Sequence, residues 1–273
     1  NNMSIATGRP PAVHGICGNF LYDPETDSEV MMNDPKWLRS RTIFKGFYDA
    51  GAKVAIVTAK DKLRALLGKD LAFNDGRAIC FSSERSDSTT KAVHGIDNAS
   101  NWLGLPVPEV YSAELSEFVF AAGVKLLREF RPDVMYLTTT DYVQHKYAPG
   151  DTQANAFYEM FDRYLAELDA DGAAIVVTAD HGMKPKHDAN GDPKVIYLQD
   201  VLDGWLGEAA ARVILPITDP YVVHHGALGA FATAYLPAGV DAEDIVTRLR
   251  AMDDIIYADT RAAACERFEL PPD

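Results

Sequence analysis

The sequence predicts an α/β fold in which a mostly parallel sheet lies between helices, with a smaller α+β subdomain after it. Short apolar runs alternate with stretches of helical periodicity through most of the chain. Continuous apolar runs bounded by helices are typical of parallel strands covered on both faces. The 273 residues, 47% of them hydrophobic, are enough to bury a sizeable core.

The individual elements follow from periodicity, capping residues and turn signals. The predicted elements before residue 190 are helices at 35–50, 61–67, 112–130 and 152–168, and strands at 54–57, 78–81, 134–137 and 173–178. Asp34 is the predicted N-cap of the first helix, and Ser112 begins a capping-box pattern. After a turn-rich stretch, the predicted elements are strands at 221–224, 230–236 and 255–258, and helices at 241–252 and 260–268. The predicted domains are therefore 1–190, the α/β core, and 191–273, the α+β subdomain.

Composition excludes several classes of function. The formal net charge of −14 argues against nucleic acid and anionic membranes as partners. No apolar run reaches the ~18 residues that a membrane-spanning helix needs. The three cysteines are widely spaced and form no CxxC pair, which predicts free thiols and a cytoplasmic protein. The sequence leaves a monomer and a homodimer both open.

Potential metal ligands follow two of the predicted strands. Asp141 and His145 come after the strand at 134–137, and Asp180 and His181 come after the strand at 173–178. Ligands of open α/β sheets bind at the carboxyl ends of strands, and carboxylate with imidazole suits zinc. One helical turn would bring Asp141 and His145 onto one face. The alternative for each pair is a polar turn without a metal.

Three stretches resemble the nucleotide pyrophosphatase/phosphodiesterase branch of the alkaline phosphatase superfamily. They are SIATGRPPAVHGICGN at 4–19, DYVQHKYAPG at 141–150 and TADHGM at 178–183. Within this branch, VAIVTAKDKLRALLG at 54–68 and DPYVVHHGALGAF at 219–231 are similar to the phosphonoacetate hydrolases. The resemblance spans nearly the whole chain and implies an alkaline phosphatase-like fold.

The resemblance also implies a catalytic site with two zinc ions (Zn2+) and a Thr nucleophile. Asp141 and His145 match two ligands of one zinc ion, and Asp180 and His181 match two ligands of the other. No catalytic nucleophile lies within the chain, because the family's Thr is expected just upstream of Asn1. A further Asp and a further His ligand are also expected outside residues 1–273, so the chain is expected to be truncated at both ends.

The resemblance assigns the substrate to three more residues. Asn19 matches an Asn that donates a hydrogen bond to a phosphonate oxygen, and Lys60 and Lys62 match a pair that binds the anionic groups of the substrate. The implied reaction is hydrolysis of the carbon–phosphorus bond of phosphonoacetate to acetate and phosphate through a phospho-Thr intermediate. On pattern alone, Lys-x-Lys on a short helix also fits a solvated surface. The open alternatives are a phosphodiesterase or phosphomonoesterase of the same superfamily, and an inactive metal-binding fragment.

Overall fold

The computed structural model describes residues 1–23, 25–216 and 230–272. The helices are α1 Asn2–Thr7, α2 Pro11–His14, α3 Ile43–Asp49, α4 Asp61–Leu67, α5 Lys91–His94, α6 Ala99–Leu103, α7 Glu114–Glu129, α8 Tyr142–Lys146, α9 Thr152–Ala170, α10 Leu198–Leu206, α11 Ala242–Arg250 and α12 Arg261–Phe268. The strands are β1 Phe20–Asp23, β2 Ser28–Met31, β3 Val54–Thr58, β4 Ala78–Ser82, β5 Val134–Thr138, β6 Arg212–Ile214 and β7 Thr233–Tyr235. No helix in these ranges is long and apolar enough to cross a membrane.

The chain folds into two compact units. One contains residues 1–8 and 33–183, and the other contains residues 9–32 and 184–273. The predicted boundary at residue 190 remains a prediction. The compact units divide at 183 and also place residues 9–32 with the C-terminal part of the chain.

A parallel sheet with strand order β4-β3-β5 forms the centre of the first unit. On one face, Ala55 and Val57 of β3 pack with Phe118 and other buried residues of α7. On the opposite face, Phe44 of α3 packs against Tyr136 of β5 with ring centroids 5.2 Å apart. Successive strand residues point to opposite faces, so this alternation covers both sides of the sheet and confirms the α/β fold class.

The predicted helix at 35–50 is wrong over its first half. A short 3₁₀ turn covers Pro35–Trp37, with the Asp34 side chain accepting from the Lys36 N–H as predicted for a cap. The backbone is extended at Leu38, and the Thr42 side chain then caps the new helix α3 by accepting from the Lys45 N–H. The N–H groups of the first helical turn have no partner within the helix, and the Thr42 side chain supplies one for Lys45. This cap marks the start of a separate helix.

Two predicted strands are not formed. Residues 173–178 belong to no strand, and Val176 is 92% exposed. Residues 255–258 are irregular, and Ile256 is 79% exposed. In both cases the apolar run pairs with no neighbouring strand within the described ranges. An apolar pattern alone does not form a strand, because a strand needs a partner for its backbone hydrogen bonds. The capping box predicted at Ser112 is also absent, because α7 has Ala113 at its N-cap without a side-chain bond.

The second unit contains two antiparallel pairs. β1 pairs with β2, which the sequence analysis missed, and β6 pairs with β7. Helix α11 packs near β6 through Ile245 and Leu249, in a cluster that also contains Leu202 of α10. The predicted strand at 221–224, with His224, lies outside the described residues.

Candidate active site

The sheet register places two groups of predicted site residues at the same end of the sheet, after the carboxyl ends of two strands. β3 and β5 run parallel with Thr58 opposite Thr138, and the Ala59 N–H donates to the Thr138 carbonyl at 2.9 Å. Lys60 follows β3 by two residues, and Asp141 follows β5 by three. The carboxyl ends of both strands therefore present their polar side chains on the same side of the unit.

The first ligand pair meets across one helical turn, as the spacing predicts. Asp141 is the N-cap of α8 and His145 lies in the last turn of that helix. The His145 Nε2 atom lies 3.0 Å from Asp141 Oδ2, and the His145 N–H donates to the Asp141 carbonyl at 3.0 Å. The His145 side chain is only 14% exposed, whereas that of Asp141 is 46% exposed. One carboxylate oxygen thus faces both the imidazole and solvent.

The second ligand pair reaches the first although its predicted strand is absent. The His181 Nε2 atom lies 3.4 Å from Asp141 Oδ2 and 3.8 Å from Asp180 Oδ1. The other ring nitrogen of His181 lies 3.0 Å from the Gly182 carbonyl. Two carboxylates and two imidazoles therefore converge at the end of β5.

Two N-terminal residues fasten this arrangement, and the sequence analysis missed both. The Asn1 side-chain amide donates to the Asp180 backbone carbonyl at 2.7 Å. The Tyr136 hydroxyl of β5 donates to the Asn2 side-chain oxygen at 2.8 Å. Burial, together with the negative charge of Asp180, raises the pKa of Tyr136 to about 12, so the phenol stays protonated and remains a donor. A lone phenol in a half-buried strand was the local signal for this contact.

The four side chains fit zinc in the type of donor they supply. Carboxylate oxygen and imidazole nitrogen are common zinc ligands, and structural and catalytic zinc sites take three or four protein ligands per ion. Within residues 1–23, 25–216 and 230–272, however, no three His, Cys, Asp or Glu side chains are arranged as a ready metal-binding group. The described residues thus supply two ligands for each predicted ion, Asp141 with His145 and Asp180 with His181.

The predicted lysines lie where β3 gives way to α4. Lys60 is the N-cap residue of α4 with an extended backbone, and Lys62 lies in the first turn; both are half-buried. The Lys60 ammonium lies 4.9 Å from the ring centroid of Tyr111. The Asp61 N–H donates to Glu84 Oε2 at 2.9 Å, which holds the start of the helix. Lys60 therefore packs on an aromatic ring beside the strand ends and does not extend into bulk solvent.

Asn19 belongs to the second unit. It lies just before β1, where its N–H donates to the Pro216 carbonyl at 2.5 Å and its carbonyl accepts from the Met32 N–H at 2.8 Å. These bonds fix its backbone. Its predicted role toward a phosphonate oxygen stays a prediction.

Comparison with known proteins identifies relatives of the chain. Two crystal structures of phosphonoacetate hydrolase from Sinorhizobium meliloti 1021, one in complex with phosphonoformate and one with phosphonoacetate, are each 76% identical to the chain with a TM-score of 0.96. Each match covers 100% of this chain and 66% of the other.

A more distant relative is an uncharacterized pyrophosphatase/phosphodiesterase of Schizosaccharomyces pombe, 23% identical over 230 residues. That match covers 80% of this chain and 41% of the relative, so the chain spans less than half of the yeast protein. Residues 1–262 match the sequence model of the type I phosphodiesterase / nucleotide pyrophosphatase family. The chain therefore belongs to the type I phosphodiesterase / nucleotide pyrophosphatase family.

Proposed function

We propose that the protein is a zinc-dependent hydrolase that cleaves the carbon–phosphorus bond of phosphonoacetate, giving acetate and phosphate. The observation that carries this proposal is the convergence of Asp141, His145, Asp180 and His181 at the sheet edge that also carries Lys60. The identity of 76% to a phosphonoacetate hydrolase over the whole chain supports the choice of substrate.

The charge of the protein makes local cations necessary. Phosphonoacetate is a small anion, and a net charge of −14 repels it at long range. Lys60 and Lys62 supply positive charge beside the strand ends, and in this proposal they bind the carboxylate of the substrate. Asn19 donates to a phosphonate oxygen.

The proposed zinc ligands are divided between two ions. Asp141 and His145 would hold one ion, and Asp180 and His181 would hold the other. When bound, zinc supplies Lewis-acid stabilisation of phosphoryl oxygens and lowers the pKa of an attacking hydroxyl. The contact between Asp141 and His181 keeps both pairs side by side.

The residues of the chain account for the charge that develops as the bond breaks. The Asn1 side chain donates to the backbone carbonyl of Asp180, beside the proposed zinc ligands, and the nucleophile in this proposal is the Thr of the family. Attack by the Thr oxygen forms an O–P bond, and the electron pair of the P–C bond moves onto the acetate carbon. The adjacent carboxylate delocalises that charge as an enolate, and the Lys60 ammonium stabilises it. The proton released from the Thr hydroxyl passes through water to the enolate carbon and gives acetate, and a water molecule then releases phosphate and restores the Thr hydroxyl.

The decisive experiment compares two substrates and counts zinc. Phosphate release from phosphonoacetate should exceed the hydrolysis of a nitrophenyl phosphodiester, and the Asp141→Asn variant should release none. Faster hydrolysis of the diester would favour the phosphodiesterase alternative, which the name of the yeast relative supports. Two tightly bound zinc ions per chain should accompany activity, whereas no bound zinc and no turnover would identify an inactive fragment.

We also propose a cytoplasmic location. Cys17, Cys80 and Cys265 form no disulfide with one another, which is usual in a reducing compartment. Recovery of the activity in the cytoplasmic fraction of fractionated cells tests this.

A further inference from the structure

We propose that Tyr111 is a positioning residue for Lys60, holding its ammonium at the strand ends with its charge available to the carboxylate of a bound substrate. This inference rests on the proposed function. Nothing in the sequence pattern points to Tyr111, which lies in the turn between α6 and α7.

The Tyr111 ring lies between the lysine and the helix that carries a proposed metal ligand. The Lys60 Nζ atom lies 4.9 Å from the centroid of the Tyr111 ring, within the range of a cation–π contact. The centroid of the Tyr142 ring lies 6.1 Å from that of Tyr111, and Tyr142 is the first residue of α8, directly after Asp141. Tyr111 therefore links the position of Lys60 to that of the Asp141–His145 pair.

The contact with a ring matters because it stabilises an ammonium without neutralising it. Lys45 pairs with Asp49, and Lys36 pairs with Asp34 at 3.5 Å. Within the described ranges, by contrast, the Lys60 ammonium forms no salt bridge and has the Tyr111 ring as its partner. A ring carries no net charge, so no carboxylate partner offsets the charge of Lys60 as Asp49 offsets that of Lys45.

The geometry separates the role of the ring from that of the hydroxyl. The distance from Lys60 is to the ring centroid, so the aromatic face makes the contact. A phenylalanine at position 111 presents the same face, whereas leucine is smaller and has no aromatic quadrupole. Tyr111→Phe should therefore behave like the unmodified protein, and Tyr111→Leu should not.

The test measures the dissociation constants of two ligands by calorimetry on the zinc-loaded protein. Phosphonoacetate carries the carboxylate, and methylphosphonate lacks it. Tyr111→Leu should raise the dissociation constant of phosphonoacetate about fivefold and leave that of methylphosphonate unchanged. In turnover assays the same variant should lower kcat/KM for phosphonoacetate, because Lys60 is proposed both to bind the carboxylate and to stabilise the enolate charge. A matched control is Trp37→Leu, which removes the ring beside Lys36, a lysine outside the candidate site. This variant should leave the dissociation constants of both ligands unchanged.

Lys60→Ala and the double variant separate this inference from the proposed function. Lys60→Ala should weaken the binding of phosphonoacetate and leave that of methylphosphonate unchanged. Adding Tyr111→Leu should then have no further effect on either dissociation constant. An effect of Lys60→Ala without one of Tyr111→Leu would overturn the positioning role alone. No effect of Lys60→Ala, or no phosphonoacetate binding by the unmodified protein, would overturn the carboxylate assignment as well.

If Tyr111→Leu fails to fold, pentafluorophenylalanine at position 111 keeps the shape of the ring and reverses its quadrupole. Selective loss of phosphonoacetate affinity in that protein would support the inference, and an unchanged affinity would overturn it.

Discussion

The Asp141 Oδ2 atom lies 3.4 Å from the Nε2 atom of His181, a residue that the sequence assigns to the other ligand pair. The same oxygen lies 3.0 Å from His145 Nε2. One carboxylate thus contacts an imidazole from each pair, and its loss should disturb both.

Asp141→Asn should therefore lower the zinc content of the protein by more than the one ion that Asp141 is proposed to bind. An amide is a much weaker zinc ligand than a carboxylate, and it brings no negative charge to the two proposed ligand pairs. Elemental analysis after gel filtration measures the ratio. Asp162→Asn, at an exposed position of α9, is the control and should retain all zinc. Loss of a single ion in Asp141→Asn would show that the two pairs bind independently.

Lys60→Ala should raise KM for phosphonoacetate at least about tenfold, because a charge-assisted hydrogen bond to a carboxylate contributes about 1.5–3 kcal/mol. Steady-state phosphate release measures it. Lys36→Ala, which removes an exposed lysine, should leave KM unchanged. Unchanged kinetics in Lys60→Ala would contradict the assignment of the substrate carboxylate to this residue.

His14 should make the protein less stable in acid. Burial lowers the pKa of His14 to about 4, and its Nδ1 atom accepts a hydrogen bond from the Ile16 N–H at 3.1 Å. The unfolded chain binds this proton near pH 6.5, so it holds more protons than the folded state between about pH 4 and 6.5. The contribution of His14 to the unfolding free energy is therefore fully present above about pH 6.5. It falls toward pH 4 by no more than about 3 kcal/mol.

Urea titrations across this range measure the effect. His14→Gln should flatten the pH dependence of the unfolding free energy, and His187→Gln, at an exposed histidine, should leave it unchanged. An equally steep dependence in His14→Gln would assign the acid sensitivity to other groups.

Gly95→Ala should strongly destabilise the first unit. Gly95 ends α5 with φ +79°, and a Cβ atom there would lie 2.1 Å from the backbone carbonyl oxygen of Ala78 at the start of β4. Backbone cannot move aside without breaking the sheet, so we expect a loss above about 3 kcal/mol. Gly76→Ala is the matched control, since Gly76 has φ +74° but open space around its Cβ position. It should cost only the backbone strain of about 1 kcal/mol, and thermal melting curves compare the two.

Local pattern predicted the elements whose environment is uniform. β3 and β4 are buried at every position, and each appears in the sequence as a short apolar run bounded by turn signals. The run at 173–178 has the same composition, yet Val177 is 58% exposed. Composition encodes the tendency to be buried, but the neighbour that completes a ladder is a property of the tertiary fold.

The candidate site shows the same division. The Asp141–His145 contact follows from spacing along one helical turn. The contacts of Asn1 with Asp180 and of Lys60 with Tyr111 join distant parts of the chain, and no local spacing contains them.

The matched register of β3 and β5 fixes the spacing of the two segments that carry Lys60 and Asp141. Thr58 lies opposite Thr138, and the two polar segments leave the sheet from adjacent strands. Adjacent strands lie about 4.8 Å apart, and a packed sheet does not stretch to fit a longer molecule. In the proposed function, an anion with one more methylene between its phosphorus and its carboxylate would have to buckle to reach both segments. Discrimination by chain length is then expected to depend on the spacing of the strands.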